Sequence, residues 1–224
     1  RWSQTGYGRT YSTSVAQETP RNLFGFKDGT NNIKSEDGDA KLNEHLWVQK
    51  GDDSGADWMA GGTYFVVRKI HMFAEMWDNL RLIEQEQTFG RDKRYGAPLN
   101  VTAPTSGKDE FKPIDFKAKN KEGELEVPAD SHIAIVNPEQ NKGRWMLRRG
   151  YNYTEGSDAL GRLSAGLFFI AFVRDPRTNF YPILDKMTQK DALSEYLQHQ
   201  ARALFAIPAG IGQSDTMVGQ ALFS

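Results

Sequence analysis

The residues best suited to chemistry sit in a short block, GFKDGTNN, at positions 25–32. Asp28 lies between an aromatic-flanked turn (Leu23, Phe24, Phe26) and Gly29, which puts its carboxylate at a bend beside apolar groups. A carboxylate there can accept and return a proton, and an Asp-Gly pair can equally do no more than close a β-turn. Four histidines are available, His45, His71, His132 and His199, and no HExxH pair or His-rich tract joins them, so a zinc hydrolase has no support. His132 has the most distinctive setting: it follows Pro128, Ala129, Asp130 and Ser131 and opens an apolar stretch closed by Asn137-Pro138. A metal ligand and an imidazole satisfied by solvent or by the core both fit that position. Arg148 and Arg149 interrupt a strand-like segment, and alternation sends one of them to each face of a sheet. The inward guanidinium needs an anion, and a ligand or a structural carboxylate would serve equally. No phosphate-binding glycine loop, dinucleotide fingerprint or serine nucleophile elbow occurs.

These groups depend on elements whose patterns are uneven in strength. Residues 1–22 are rich in Ser, Thr, Gly and Gln without a sustained period and read as a linker. Residues 30–62 read as a polar surface excursion with one short strand near Trp47. From Thr63 the run TYFVVRKIHMF predicts a strand, and AEMWDNLRLIEQEQ then switches to helical spacing with Met76, Leu80 and Ile83 on one face. The stretch from Gly90 to Pro128 is charged and punctuated by Pro and Gly, a loop with local structure. SHIAIVNP, WMLRRGYNY and GLFFIAF follow as short segments, the last two strand-like. A helix is expected near Asp191–Ala201, with Leu193, Leu197 and Ala201 on one face and His199 on its polar side. Strands interspersed with two substantial helices, joined by loops too long for a βαβ repeat, predict an α+β fold with a largely antiparallel sheet. Loops beyond about 12–15 residues in a compact domain are commonly functional or disordered.

Composition narrows the classes. The 224 residues carry 28 Lys and Arg against 29 Asp and Glu, a formal charge of −1, and no basic block stands out. A nucleic-acid or anionic-membrane partner therefore lacks electrostatic support. The longest clean apolar run, Gly166 to Val173, falls well short of the about 20 residues a spanning helix needs. The absence of cysteine removes disulfides, thiolate metal sites and cysteine nucleophiles together. The start at Arg1, without an initiator Met or a signal segment, suggests a processed product or the C-terminal part of something longer.

Taken in order, RNLFGFKDGTNN, SHIAIVNP, MLRRGYNY and LFFIAF resemble the dye-decolorising peroxidases, a heme family, and most closely its exported EfeB-like deferrochelatase/peroxidase branch. GFKDGT at 25–30 corresponds to the family's GxxDG signature, and the resemblance runs from about Trp2 to the C-terminus. It implies heme b as cofactor, hydrogen peroxide as oxidant, and a reducing substrate (a dye, a phenol or ferrous iron) oxidised in one-electron steps. The other function it implies is a heme-binding, iron-releasing module of a bacterial iron-uptake system, with that system's components as partners. Position by position, the resemblance makes Asp28 the acid–base residue, Arg148 its charge-stabilising neighbour and His132 the axial ligand of the heme iron. Gly29 and Thr30 would lie beside the cofactor, and Leu167 and Phe169 would line the pocket on the side of Asp28. Gly150 stands where one branch of relatives carries Asn. Trp145, Tyr151 and Tyr153 are candidate relays of single electrons to the surface. The implied fold is the C-terminal half of a dimeric ferredoxin-like architecture, an antiparallel sheet with helices packed on one face. Residues 63–224 would form the heme-binding domain and residues 1–62 the interdomain segment with the GxxDG loop. Relatives of this branch carry two such halves, so an N-terminal half or fragment of the same protein is an expected partner. Export to the periplasm or cell surface and a homo-oligomer are further expectations.

Overall fold

The computed structural model describes residues 6–213 and 215–223, so the first residues of the stretch read as a linker lie outside it. The described strands are β1 (Gly6–Arg9), β2 (Thr63–Met72), β3 (Leu147–Arg148), β4 (Tyr151–Ser157), β5 (Leu163–Val173) and β6 (Leu197–Ile207). They form one antiparallel sheet in the order β1-β4-β5-β2-β6, with β3 paired to β5. The helices are α1 (Gly38–His45), α2 (Ala74–Asp78), α3 (Leu82–Phe89), α4 (His132–Val136), α5 (Pro176–Asn179) and α6 (Tyr181–Lys190). The expected α+β layering is present: the β-branched and aromatic runs at 63–73 and 166–173 form the inner strands, and helices pack on one face.

Register decides what each face carries. Ile70 pairs with Leu167 and Arg68 with Phe169, and directly paired residues project from the same side of a sheet. Val66, Arg68, Ile70 and Met72 alternate along β2 and are all buried on the helix side. On the opposite side Phe65 stacks on Phe172 with centroids 5.0 Å apart and leans toward Phe205 at 5.8 Å, and Phe205 is half exposed.

Beneath the helices, Phe24 stacks on Trp77 at 4.4 Å and Phe26 on Phe89 at 4.1 Å, all four rings buried. The Trp77 indole N–H donates to the Phe24 carbonyl at 3.2 Å. Fully burying a large apolar side chain contributes roughly 1.5–3 kcal/mol, so this cluster fixes the 23–28 segment firmly to α2 and α3. Residues of the 1–62 stretch thus share a sheet and a core with residues of the 63–224 stretch: β1 pairs with β4, and the Thr10 N–H donates to the Gly150 carbonyl at 2.9 Å.

Four local expectations need correction. No strand forms near Trp47; Val48 exchanges two backbone hydrogen bonds with Gly61 and Gly62, too few for a ladder. The 74–87 segment is two helices, because Arg81 adopts an extended conformation (φ −64°, ψ 150°) and caps α3, its N–H donating to Glu84 Oε2 at 2.9 Å. Met76 and Ile83 are exposed, and the buried positions are Trp77, Gln85 and Phe89. The expected helix at Asp191–Ala201 is a 3-10 turn, Ala192–Tyr196, followed by β6, so Ala201 and His199 lie in a strand. There the Leu193–Leu197–Ala201 spacing coincides with the helical period, and pairing with β2 along ten positions overrides it.

Candidate active site

A cleft of about 1350 Å³, part of it open to solvent, lies between the buried sheet face and the helices α4 and α6. Ile70, Met72, Leu167 and Phe169 supply its sheet wall, and Ile133, Ile183, Leu184 and Met187 face them. All seven residues singled out in the sequence, Asp28, Gly29, Thr30, His132, Arg148, Leu167 and Phe169, line it.

At one side the 22–32 segment presents Asp28. Asn22 folds the turn, its Oδ1 accepting from the N–H groups of Phe24 and Phe26 at 3.1 and 3.2 Å, while Phe24 and Phe26 drive their rings into the core. Gly29 sits at φ +114°, and a Cβ there would lie 3.0 Å from the Ser12 backbone nitrogen, so the chain beside Asp28 requires glycine. Asp28 Oδ1 accepts from Arg148 Nη1 at 2.8 Å, with both side chains part-exposed to the cleft. The Arg148 backbone is gripped from both sides by Asn32, whose Oδ1 accepts from Arg148 N at 2.7 Å and whose Nδ2 donates to Arg148 O at 3.0 Å. Arg149 turns the other way, donating to the Tyr11 hydroxyl at 3.3 Å. The structure thus resolves the alternation: Arg148 faces the cleft, and its counter-charge is Asp28. The pair can move a proton and neutralise negative charge in one place.

His132 opens α4 at another part of the cleft. Its Nδ1 lies 2.7 Å from Oδ2 of Asp191, whose side chain is almost wholly buried and whose Oδ1 accepts from the Leu193 N–H at 3.0 Å. With Nδ1–H donated to Asp191, Nε2 on the opposite edge keeps its lone pair free, the arrangement that orients metal-ligating histidines. Gly90, at φ +80°, permits this approach, since a Cβ would fall 2.7 Å from Ile133 Cγ1 and 2.8 Å from Ser131 Oγ. His45, His71 and His199 do not line the cleft.

The donor set fits heme. Among the described residues no three His, Asp or Glu side chains cluster to hold a bare metal ion. A single imidazole suits a metal that arrives with its other ligands, and a large apolar cleft suits a flat organic body around it. Arg68, Arg144 and Arg148 also line the cleft, so cationic groups are at hand for an anionic periphery. Arg68 is buried on β2 with Nη2 2.8 Å from His199 Nε2, and burial pushes its pKa down to about 10. His199 is pushed down to about 4, by burial first and by the Arg68 charge second.

Of the electron-relay candidates, Trp145 lines the cleft, with Lys41 Nζ 3.7 Å above its ring. Tyr151 and Tyr153 do not. Tyr151 shares a 3.2 Å hydrogen bond with Tyr11, and Tyr153 is buried, its hydroxyl pushed up to about 12 by that burial. Sequence reasoning missed Asp191, Asn32 and Arg68. Arg68 was recoverable from a charge at an inward position of an apolar strand. Asp191 carries only the signature of a turn cap, which says nothing of a histidine 59 positions away.

The family model described as Dyp-type peroxidase, C-terminal, matches residues 19–212. The chain is 37% identical over 211 residues to the dye-decolorizing peroxidase of Thermobifida fusca, covering 93% of this chain and 47% of that protein. It is 35% identical over 225 residues to the deferrochelatase of Yersinia pseudotuberculosis, covering 99% and 49%. The oxyferrous structure of DtpA from Streptomyces lividans superposes with a TM-score of 0.84 at 38% identity, over 94% of this chain and 55% of that one. The chain spans about half the length of the curated relatives it matches.

Proposed function

The chain belongs to the Dyp-type peroxidase family, and from that premise we propose that it forms the heme-holding part of a peroxidase that reduces hydrogen peroxide with electrons from a dye, a phenol or ferrous iron. The observation that carries the reading is that the Asp28–Arg148 pair and His132, the latter held from behind by buried Asp191, line one apolar cleft. His132 Nε2 would hold the iron, and Asp191, accepting the Nδ1 proton, raises the basicity of the ring and fixes its orientation. Arg68 and Arg144, which also line the cleft, would supply positive charge for the heme carboxylates and leave Arg148 to Asp28. Heme, when bound, supplies the iron at which the peroxide O–O bond is cleaved and from which the oxidising equivalents are returned one electron at a time.

The chain's own residues do the rest. Asp28 would accept a proton from hydrogen peroxide and return it to the oxygen that leaves as water. Arg148, already 2.8 Å from Asp28, offsets the negative charge that gathers on the separating oxygen. Leu167 and Phe169 keep that side dry, which strengthens both effects. Gly150 offers no side chain for the Asn-assisted transfer of one branch of relatives; in this reading Asp28 moves the proton and Arg148 offsets the charge. Over a full cycle one peroxide, two electrons and two protons give two waters.

The alternative of a heme-holding, iron-releasing module draws on the similarity to the deferrochelatase of Yersinia pseudotuberculosis. The Asp28–Arg148 pair favours turnover, because holding heme requires neither group. An N-terminal half of the same protein is the partner best suited to the half-exposed aromatic face around Phe65, Phe172 and Phe205. Iron-uptake components and an exported location are proposed on the resemblance alone. The test is Asp28→Ala in the hemin-loaded protein: peroxide turnover falls at least about 100-fold with heme retained. Undiminished turnover removes the role from Asp28.

A further inference from the structure

The long segment between Gly90 and Pro128 contributes two buried carboxylates, Asp109 and Glu110, and Glu110 reaches the residues around Asp28. Glu110, 3% exposed, lies in the 3-10 turn Gly107–Phe111 and divides its two oxygens between Lys27 and Thr30, the residues that bracket Asp28 and Gly29. Oε1 lies 2.8 Å from Lys27 Nζ, and Oε2 accepts from the Thr30 hydroxyl at 2.6 Å. The Lys27 ammonium, equally buried, adds a 3.2 Å bond to the Gly107 carbonyl. Glu110 is itself fixed from behind, because the guanidinium of Arg91 donates to its backbone carbonyl at 2.9 Å and to that of Gly96 at 2.6 Å. Between Lys27 and Thr30 lie Asp28 and Gly29, the latter at φ +114°, a conformation only glycine adopts without strain. A fastening that served only to tie the 90–128 segment down could bond anywhere on the core. This one bonds side chains that flank the proton-handling carboxylate and line the cleft.

We propose that Glu110 is a positioning residue that holds Asp28 in register with Arg148, acting through Lys27 on one side and Thr30 on the other. The inference rests on the peroxidase reading, which gives Asp28 its proton-transfer role. Replacing Glu110 by Gln keeps the shape, surrenders one acceptor and leaves the Lys27 ammonium buried against a neutral amide. The bracket opens while α4 and the His132–Asp191 pair stay in place.

The test compares the full chain with its Glu110→Gln variant by amide hydrogen exchange in segments 25–32 and 129–137, and measures peroxide turnover on the hemin-loaded proteins. The expected result is exchange about tenfold or more faster in 25–32, as loss of a buried charged hydrogen bond implies, with 129–137 unchanged. In turnover, kcat falls and the KM for the reductant holds. Unchanged exchange in 25–32, or an equal rise in both segments, overturns the proposal. If Glu110→Gln does not fold, Thr30→Val removes one arm alone and is expected to raise exchange in 25–32 only; a rise shared with 129–137 overturns the proposal again. Failure of the hemin-loaded wild type to turn over peroxide would count against the peroxidase reading, while the exchange comparison would still decide whether Glu110 holds the loop.

Discussion

Asp191 offers a prediction whose sign depends on a single proton. Its Oδ2 faces His132 Nδ1 at 2.7 Å and its Oδ1 accepts from the Leu193 N–H at 3.0 Å, so the carboxylate both orients the imidazole and caps the 3-10 turn. Asp191→Asn preserves the cap but turns an amide NH2 toward Nδ1. The ring can accept from that amide only by moving its own proton to Nε2, the atom a metal would need. Disturbing such an outer partner costs about 10–100-fold in metal affinity, which is about 1.4–2.7 kcal/mol. Asp191→Ala leaves Nδ1–H without its partner yet keeps Nε2 free. It loses the cap as well, at a folding cost of about 1–3 kcal/mol for the groups left unpaired. Hemin titration followed at the Soret band should therefore rank wild type above Ala above Asn, while denaturant unfolding of the hemin-free chain ranks wild type above Asn above Ala. Wild-type hemin affinity in the Asn variant, or the same ranking in both assays, refutes the tautomer argument.

Trp77→Ala removes a fully buried indole that stacks on Phe24 at 4.4 Å; the expected cost is about 3–5 kcal/mol, a thermal midpoint lower by about 6–20 °C, and a change under about 1 kcal/mol would mean the cluster does not anchor the 23–28 segment. Partial desolvation of the His199 ring, first, and the Arg68 charge push its pKa down to about 4 from an ordinary 6.5, although the residue lies on the exposed strand β6. Between these values the unfolded chain binds the extra proton. Stability then rises with pH across that window and is lost on acidification from 6.5 toward 4. Thermal midpoints measured from pH 4 to 7 should flatten in His199→Gln, and an unchanged slope would show that the ring beside Arg68 is not its source.

The α+β class was legible in the sequence, and the residues expected to form a site all line one cleft, while several local elements and the site's partner residues were not legible. Locally GFKDGT read as readily as a turn, and alternation required only that one of Arg148 and Arg149 point inward; the roles of Asp28, Arg148 and His132 came from the resemblance. The partners of these groups come from remote positions that no local pattern connects: Asn32 reaches across 116 residues to the Arg148 backbone, and Asp191 meets His132 across 59. Secondary structure failed where tertiary contacts chose between acceptable local states. Residues 197–201 have helical spacing but lie along β2, which supplies the hydrogen bonds, and Met76 and Ile83 have the spacing of a buried face while Trp77 occupies the core. The 90–128 loop was readable only as a loop. That Glu110 would bridge Lys27 and Thr30 follows from a close approach that composition does not encode.

The central claim is that His132 presents Nε2 to a heme iron in a cleft whose other side handles peroxide through Asp28 and Arg148. The most direct measurement is an absorption spectrum from about 350 to 700 nm of the hemin-loaded chain and its His132→Ala variant, before and after one equivalent of hydrogen peroxide. The account predicts a histidine-ligated ferric Soret band in the wild type that shifts and weakens on peroxide addition, and loss of that ligation in the variant. The same spectrum and the same peroxide response in both proteins, or no Soret band in the wild type, would contradict it.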